Sequence, residues 1–139
     1  MMTCRVLVVE DHAESAEALR ELLRMWGYEV QTAGDGEGAL DLLATLTPDV
    51  VIADIGLPGI DGHELARRVR RMPAHRDTLL IALTGYGENA YEFAASGFDH
   101  HLVKPVDLAG LERLLEVRGR PSDAAAEGIR RVGYRHSRL

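Results

Sequence analysis

The sequence has one cysteine, few aromatic residues, no apolar run of bilayer length and no basic stripe along its main body. Each shortage excludes something. Cys4 stands alone in an apolar run, so no internal disulfide can form, and a reducing, cytoplasmic compartment is expected. Aromatics are 5% of the chain against 46% hydrophobic residues, which makes the core aliphatic. No apolar run approaches the roughly 20 residues that span a bilayer, and Met-Met-Thr-Cys-Arg leads straight into a strand-like run, so neither a membrane partner nor a signal peptide is expected. The net charge is −6, unevenly spread. From Gly119 onward Arg120, Arg130, Arg131, Arg135 and Arg138 face only Asp123 and Glu127, a local +3 that leaves −9 on the rest. A body that acidic would repel phosphates, so no direct nucleic-acid partner is expected. The length of 139 residues fits one domain.

What is present is a regular alternation. Short apolar runs read as strands at Cys4–Val9, Glu29–Ala33, Val50–Ala53, Leu79–Leu83 and His101–Val103. Most are rich in Val, Ile and Leu, as strands covered on both faces should be. Between them come segments with helical spacing. Ala16, Leu19, Leu22, Leu23 and Trp26 form one stripe, closed by Gly27. The second helix is expected from Gly36 to Leu46, the third from Gly62 to Met72 with Pro73 at its end, and the fourth from Glu88 to Ser96. The fifth, from Leu108 to Val117, is expected to turn Leu108, Leu111, Leu114 and Leu115 inward. Five strand–helix units imply an α/β fold, a five-stranded parallel sheet with helices on both faces. The doubly wound order 2-1-3-4-5 fits best, and its crevice lies at the carboxyl ends of the first and third strands.

That rule points to Glu10-Asp11 and to Asp54, all acidic. Carboxylates about 4 Å apart repel by roughly 4 kcal/mol at an effective dielectric near 20. A hard divalent cation with oxygen ligands offsets this, and Mg²⁺ with one or two carboxylates and a phosphate oxygen suits such a place. The competing reading is that each acid caps the helix after its strand. Two more residues end the other strands. Thr84 precedes Gly85 and can donate its hydroxyl to a phosphoryl oxygen. Lys104 precedes Pro105 and can pair with a carboxylate or a phosphoryl oxygen. Singly, both are ordinary structural residues; the set of four strand ends carries the inference.

The segments Val6-Leu-Val-Val-Glu-Asp-His12, Asp54 with Leu57-Pro-Gly-Ile-Asp-Gly62, Leu83-Thr-Gly85 and Val103-Lys-Pro105 together resemble the receiver domains of two-component response regulators. The family shares the flavodoxin-like order of the chemotaxis regulator. The resemblance covers residues 3–118, so residues 1–118 are expected to form the receiver and 119–139 a basic, flexible tail. It implies that Asp54 accepts a phosphoryl group, that Glu10, Asp11, Asp54 and the Gly56 carbonyl hold Mg²⁺ (or Mn²⁺), and that Thr84 and Lys104 bind the phosphoryl group. It further implies a phosphohistidine donor on a histidine kinase or phosphotransfer protein, slow self-dephosphorylation, and a switch in which Thr84 moves and rearranges the fourth helix, fifth strand and fifth helix. That surface would meet a downstream protein target or a second copy of the chain. The chain is thus expected to be a signalling switch that catalyses its own modification.

Several residues depart from the family pattern or stand outside it. His101 occupies the position, three before the lysine, where the family usually has a Tyr or Phe switch. It reads either as a switch whose charge varies near neutral pH or as an exposed edge-strand histidine. Gly56 and Tyr86 lie where the family tunes phosphoryl lifetime. Arg67, Arg68, Arg70 and Arg71 read as a solvated helix face, and His12, His63, His75 and His100 form no zinc constellation. Gly97-Phe-Asp-His-His-Leu-Val-Lys-Pro-Val-Asp107 looks most like receivers attached to hybrid histidine kinases. An aspartyl-phosphate phosphatase would need an Asp at Gly56. A flavodoxin-like binding module would need a phosphate loop where Glu10-Asp11-His12-Ala13 stands. A degenerate receiver signalling by contacts alone is the remaining alternative, although all four chemical positions are filled.

Overall fold

The computed structural model describes residues 4–85 and 90–118. Its strands are β1 (Arg5–Val9), β2 (Glu29–Ala33), β3 (Val50–Asp54), β4 (Leu79–Thr84) and β5 (His100–Val103). The helices are α1 (Ala13–Met25), α2 (Gly36–Leu43), α3 (Gly62–Arg70), α4 (Ala90–Ser96) and α5 (Leu108–Arg118), with a single 3₁₀ turn at Pro73–His75. The strands pair in parallel in the order β2-β1-β3-β4-β5, as the alternation predicts. Val9 pairs with Ala33 on one side and Ala53 on the other, Asp54 pairs with Leu83, and Thr84 with Val103. The residues that end these strands are therefore brought to one edge of the sheet.

Strand alternation divides the core in two. Leu7, Val9, Val51, Ala53, Leu80 and Ala82 face one side, where Ala39 and Leu43 of α2, Leu65, Ala66 and Val69 of α3, and Phe93 of α4 cover them. Val6, Val8, Val50, Ile52, Leu79 and Ile81 face the other, under Leu23 of α1 and Leu111, Leu114 and Leu115 of α5. Leu23, Leu65 and Leu111 are essentially inaccessible to solvent, and truncating such a leucine to alanine costs about 2–5 kcal/mol. The most polar strand, Glu29-Val-Gln-Thr-Ala33, forms an edge, where one side of the ladder meets solvent. Asp35 and Asp61 cap α2 and α3, accepting hydrogen bonds from the amides of Gly38 (2.7 Å) and Glu64 (2.9 Å).

Three expectations change. Pro73 does not merely stop α3, which already ends at Arg70; it opens the 3₁₀ turn at a position where its missing N–H costs nothing. Leu108 is 47% exposed, because as the first residue of α5 it lies outside the buried stripe begun by Leu111. Arg70 is not part of a solvated face. Its guanidinium donates to Asp99 Oδ2 (2.7 Å), Gly97 O (2.9 Å) and Thr78 O (2.8 Å), joining the end of α3 to the starts of β4 and β5. Residues 86–89 and the expected tail, 119–139, lie outside the described residues. No helix among the described residues is long and apolar enough to cross a membrane.

Candidate functional site

The carboxyl edge of the sheet collects the residues that the sequence singles out. Glu10 continues β1 and Asp54 ends β3, its neighbour in the sheet. Asp11 follows in the turn before α1. Carboxylate oxygens of Glu10, Asp11 and Asp54 lie within 4.8 Å of one another. Asp11 does not cap α1: the cap position is His12, which makes no side-chain capping bond. Instead Glu10, only 7% exposed, accepts the His12 amide hydrogen at its Oε2 (3.0 Å). That bond fixes the turn from which Asp11 projects, and solvent reaches Asp11 while Glu10 stays buried.

Lys104 comes to this cluster from the end of β5. Its Nζ is 3.1 Å from Asp54 Oδ2 and 3.6 Å from Glu10 Oε1. Partial burial works against its charge, but the Asp54 hydrogen bond and the charges of Asp54 and Glu10 outweigh that and raise it above the ordinary lysine value. Among the described residues, one ammonium stands against three carboxylates, which leaves the cluster short of positive charge. The donors are all hard oxygens, the type that Mg²⁺ takes and that zinc sites seldom use alone. The residues present thus fit a magnesium ion in chemistry and in charge.

The loop after Asp54 is built to approach closely. A side chain at Gly62 would place its Cβ 2.7 Å from Asp54 O and 2.8 Å from Ile55 Cα, so only glycine lets α3 begin this close to the end of β3. The Gly62 amide donates to Ile55 O (2.9 Å), closing the loop. Within it the Gly56 amide donates to Asp54 Oδ1 (3.3 Å), and no heavy atom would lie within 4 Å of a Cβ at Gly56. Thr84, 1% exposed, donates its hydroxyl hydrogen to Gly85 O (3.1 Å), and the Lys104 amide donates to Thr84 O (2.8 Å). Tyr86 lies outside the described residues.

His101 is half-buried on β5 and stacks on Phe93 of α4, with ring centres 4.7 Å apart. The side chains that sequence reasoning passed over lie beside it. His63, which the sequence places in no zinc constellation, is 8% exposed on α3, stacks on Phe93 at 5.2 Å and meets Ser96 Oγ at 2.8 Å. One signal was available: His63 falls three residues before Ala66, on the buried stripe.

Residues 6–116 match the response regulator receiver domain family. Sensor histidine kinase RcsC of Salmonella typhi is 33% identical over 112 residues, 81% of this chain but 12% of that protein. Response regulator MprA of Mycolicibacterium vanbaalenii is 37% identical over 131 residues, 91% of this chain and 56% of that one. The chain therefore spans a fraction of the length of these two relatives. Among solved structures, response regulator protein TrrA of Thermotoga maritima, in complex with Mg(2+)-BeF, shares 34% identity with a TM-score of 0.76, covering 84% of this chain and 99% of that one. Fold, edge chemistry and sequence agree, and the chain belongs to the response regulator receiver domain family.

Proposed function

We propose that this receiver accepts a phosphoryl group on Asp54 from a phosphohistidine of a histidine kinase or histidine phosphotransfer protein. The observation that carries this reading is Asp54 sharing its edge with Glu10 and Asp11 while Lys104 Nζ stands 3.1 Å away. A carboxylate oxygen of Asp54 forms the new P–O bond as the donor's P–N bond breaks, and the electron pair of that bond returns to the donor imidazole. Glu10, Asp11, Asp54 and the Gly56 carbonyl are the residues that would hold Mg²⁺, or Mn²⁺; when bound, the ion supplies positive charge to the phosphoryl oxygens. The complex of TrrA with Mg(2+)-BeF supports this assignment by similarity.

The chain's own groups do the positioning. Lys104 neutralises Asp54 beforehand and, once the phosphoryl group arrives, pairs with one of its oxygens. The Thr84 hydroxyl exchanges the Gly85 carbonyl for a phosphoryl oxygen, which pulls the end of β4 toward Asp54. His101 follows, changing how α4 packs on β5, so the α4–β5–α5 surface is the output toward a downstream protein or a second copy. Water then hydrolyses the acyl phosphate and restores Asp54. The lone Cys4, with no disulfide partner in the chain, favours the reducing cytoplasm as the place of the reaction. The similarity to part of RcsC favours a receiver of hybrid-kinase type.

The test is intact-protein mass after incubation with acetyl phosphate, with and without Mg²⁺, for wild type and Asp54→Asn. One phosphoryl adduct that needs both Mg²⁺ and Asp54 is expected. Equal adducts in both proteins would overturn the assignment.

A further inference from the structure

His63 takes no part in the acidic cluster, yet it is buried against α4 with one nitrogen unsatisfied. Its Nδ1 lies 2.8 Å from Ser96 Oγ. That hydroxyl lies 2.9 Å from Glu92 O and 3.1 Å from Phe93 O, and it has one hydrogen to donate. If the hydrogen goes to the α4 carbonyls, Nδ1 must carry the ring proton and donate it to Ser96 Oγ. Nε2 then presents a lone pair, and it has no hydrogen-bond partner among the described residues. The carboxylate facing it is Glu92 Oε2, at 4.0 Å. In the neutral ring an acceptor faces an acceptor. A second proton, on Nε2, converts that opposition into an ion pair between α3 and α4.

The surroundings hold the ring for this purpose. His63 stacks on Phe93 at 5.2 Å and meets Phe98 edge-on at 6.2 Å, which holds the ring plane, and turning the ring over within that plane would give up the bond between Nδ1 and Ser96 Oγ. Phe93 also stacks on His101, which couples the pair to β5. Other charged groups around α3 have partners or lie elsewhere. On α3 itself Glu64 is bound by Arg67 (3.1 Å) and Arg68 (2.9 Å). Arg70 is bound to Asp99. From α2 come Glu37 and Asp41, neither bonded to His63, and from the 3₁₀ turn comes His75, whose Nε2 bonds Leu43 O (2.7 Å). From α4 comes Glu92, and from β5, across Phe93, His101.

We propose that His63 and Glu92 form a proton-operated latch that binds α4 to α3 as the pH falls. An imidazole can change charge between about pH 5 and 8, the physiological window. The far end of α4 is held differently: Arg70 donates to Gly97 O there, and an arginine stays charged at every physiological pH. Helix α4 thus keeps the Arg70 and Ser96 contacts whatever the pH and gains the Glu92 contact only with a proton. Because α4 belongs to the proposed output surface, acid would hold that surface closer to its present arrangement. The latch itself rests on the α3–α4 geometry and not on phosphorylation.

The experiment is a double-mutant cycle on the full chain with His63→Gln, Glu92→Gln and the double variant, reading urea unfolding at about pH 5.5 and about pH 8. Glu92 is largely exposed, so the expected coupling is modest: a factor of roughly two to five in the folding equilibrium constant at the acid pH, falling to about one at the alkaline pH. Coupling that is absent at both pH values, or equal at both, overturns the latch. Should His63→Gln fail to fold, Glu92→Gln against wild type decides alone. Destabilisation confined to acid pH supports the latch, and any pH-independent effect overturns it. Neither readout involves Asp54, so failure of the latch and failure of the phosphoacceptor assignment remain separate results.

Discussion

At the amino end of the sheet Arg70 meets Asp99 and the carbonyls of Gly97 and Thr78, Asp49 accepts the Arg5 amide hydrogen at 2.8 Å, and Asp99 Oδ2 also accepts the Leu80 amide hydrogen at 2.9 Å. At the carboxyl end Glu10, Asp11 and Asp54 cluster, and among the described residues the ammonium of Lys104, paired with Glu10 and Asp54, is the one cation beside them. The same parallel strands join the two ends, so the difference does not come from the backbone. It comes from what was placed on the strand termini. Matched charges and satisfied carbonyls lower the energy of the fold, whereas carboxylates crowded together raise it. A domain whose net stability is only about 5–15 kcal/mol tolerates such a cluster where it has chemistry to perform.

The contrast can be broken first at the satisfied end. Arg70→Ala leaves Asp99 and several carbonyls short of a donor and should destabilise the protein by about 2–4 kcal/mol, read as a lower urea midpoint. Replacing His101 with alanine removes its stack on Phe93 and should cost about 0.5–1.5 kcal/mol while leaving phosphorylation of Asp54 intact. Loss of phosphorylation in that variant would move His101 from the proposed output surface into the chemistry.

At the crowded end the sign should reverse. Asp11→Asn relieves repulsion, so the metal-free protein should be as stable as wild type or more stable by up to about 1 kcal/mol, with weaker Mg²⁺ binding by calorimetric titration. A clear loss of metal-free stability would remove the contrast altogether. Lys104→Met should have the smallest effect, under about 1 kcal/mol, since its side chain is 42% exposed and water screens the pairing. Its pH dependence follows from the raised value of the folded state. The folded protein holds that proton more tightly, so the contribution is full below the ordinary value of 10.5 and is lost as the pH rises beyond it. The stability gap between wild type and Lys104→Met should therefore shrink in alkali.

Much of this was legible in the sequence because parallel strands write their burial directly into Val, Ile and Leu runs. Val6–Val9, Val50–Ala53 and Leu79–Leu83 fixed three strands, and the residue after each run named part of the site. The order of the strands followed from chain length and handedness. What could not be read depended on side chains meeting across elements. Arg70 looked like its neighbours Arg67 and Arg68, which pair locally with Glu64 on the exposed face. Only the fold reveals that Arg70 points toward Gly97 and Asp99, 27 and 29 residues away in the chain. The same holds for His63 and Ser96, separated by 33 residues. Leu108 erred in the other direction: helical spacing admitted it to the stripe, but its place at the first turn of α5 left it in solvent.

The assignment of Asp54 as acceptor is tested most directly by locating the modification. Wild-type protein is phosphorylated with acetyl phosphate and Mg²⁺, the acyl phosphate is reduced with borohydride, and the peptides are mapped by mass spectrometry. Reduction should mark Asp54 alone, as homoserine. A mark on Glu10 or Asp11, or a phosphoryl group retained on a histidine, would contradict it.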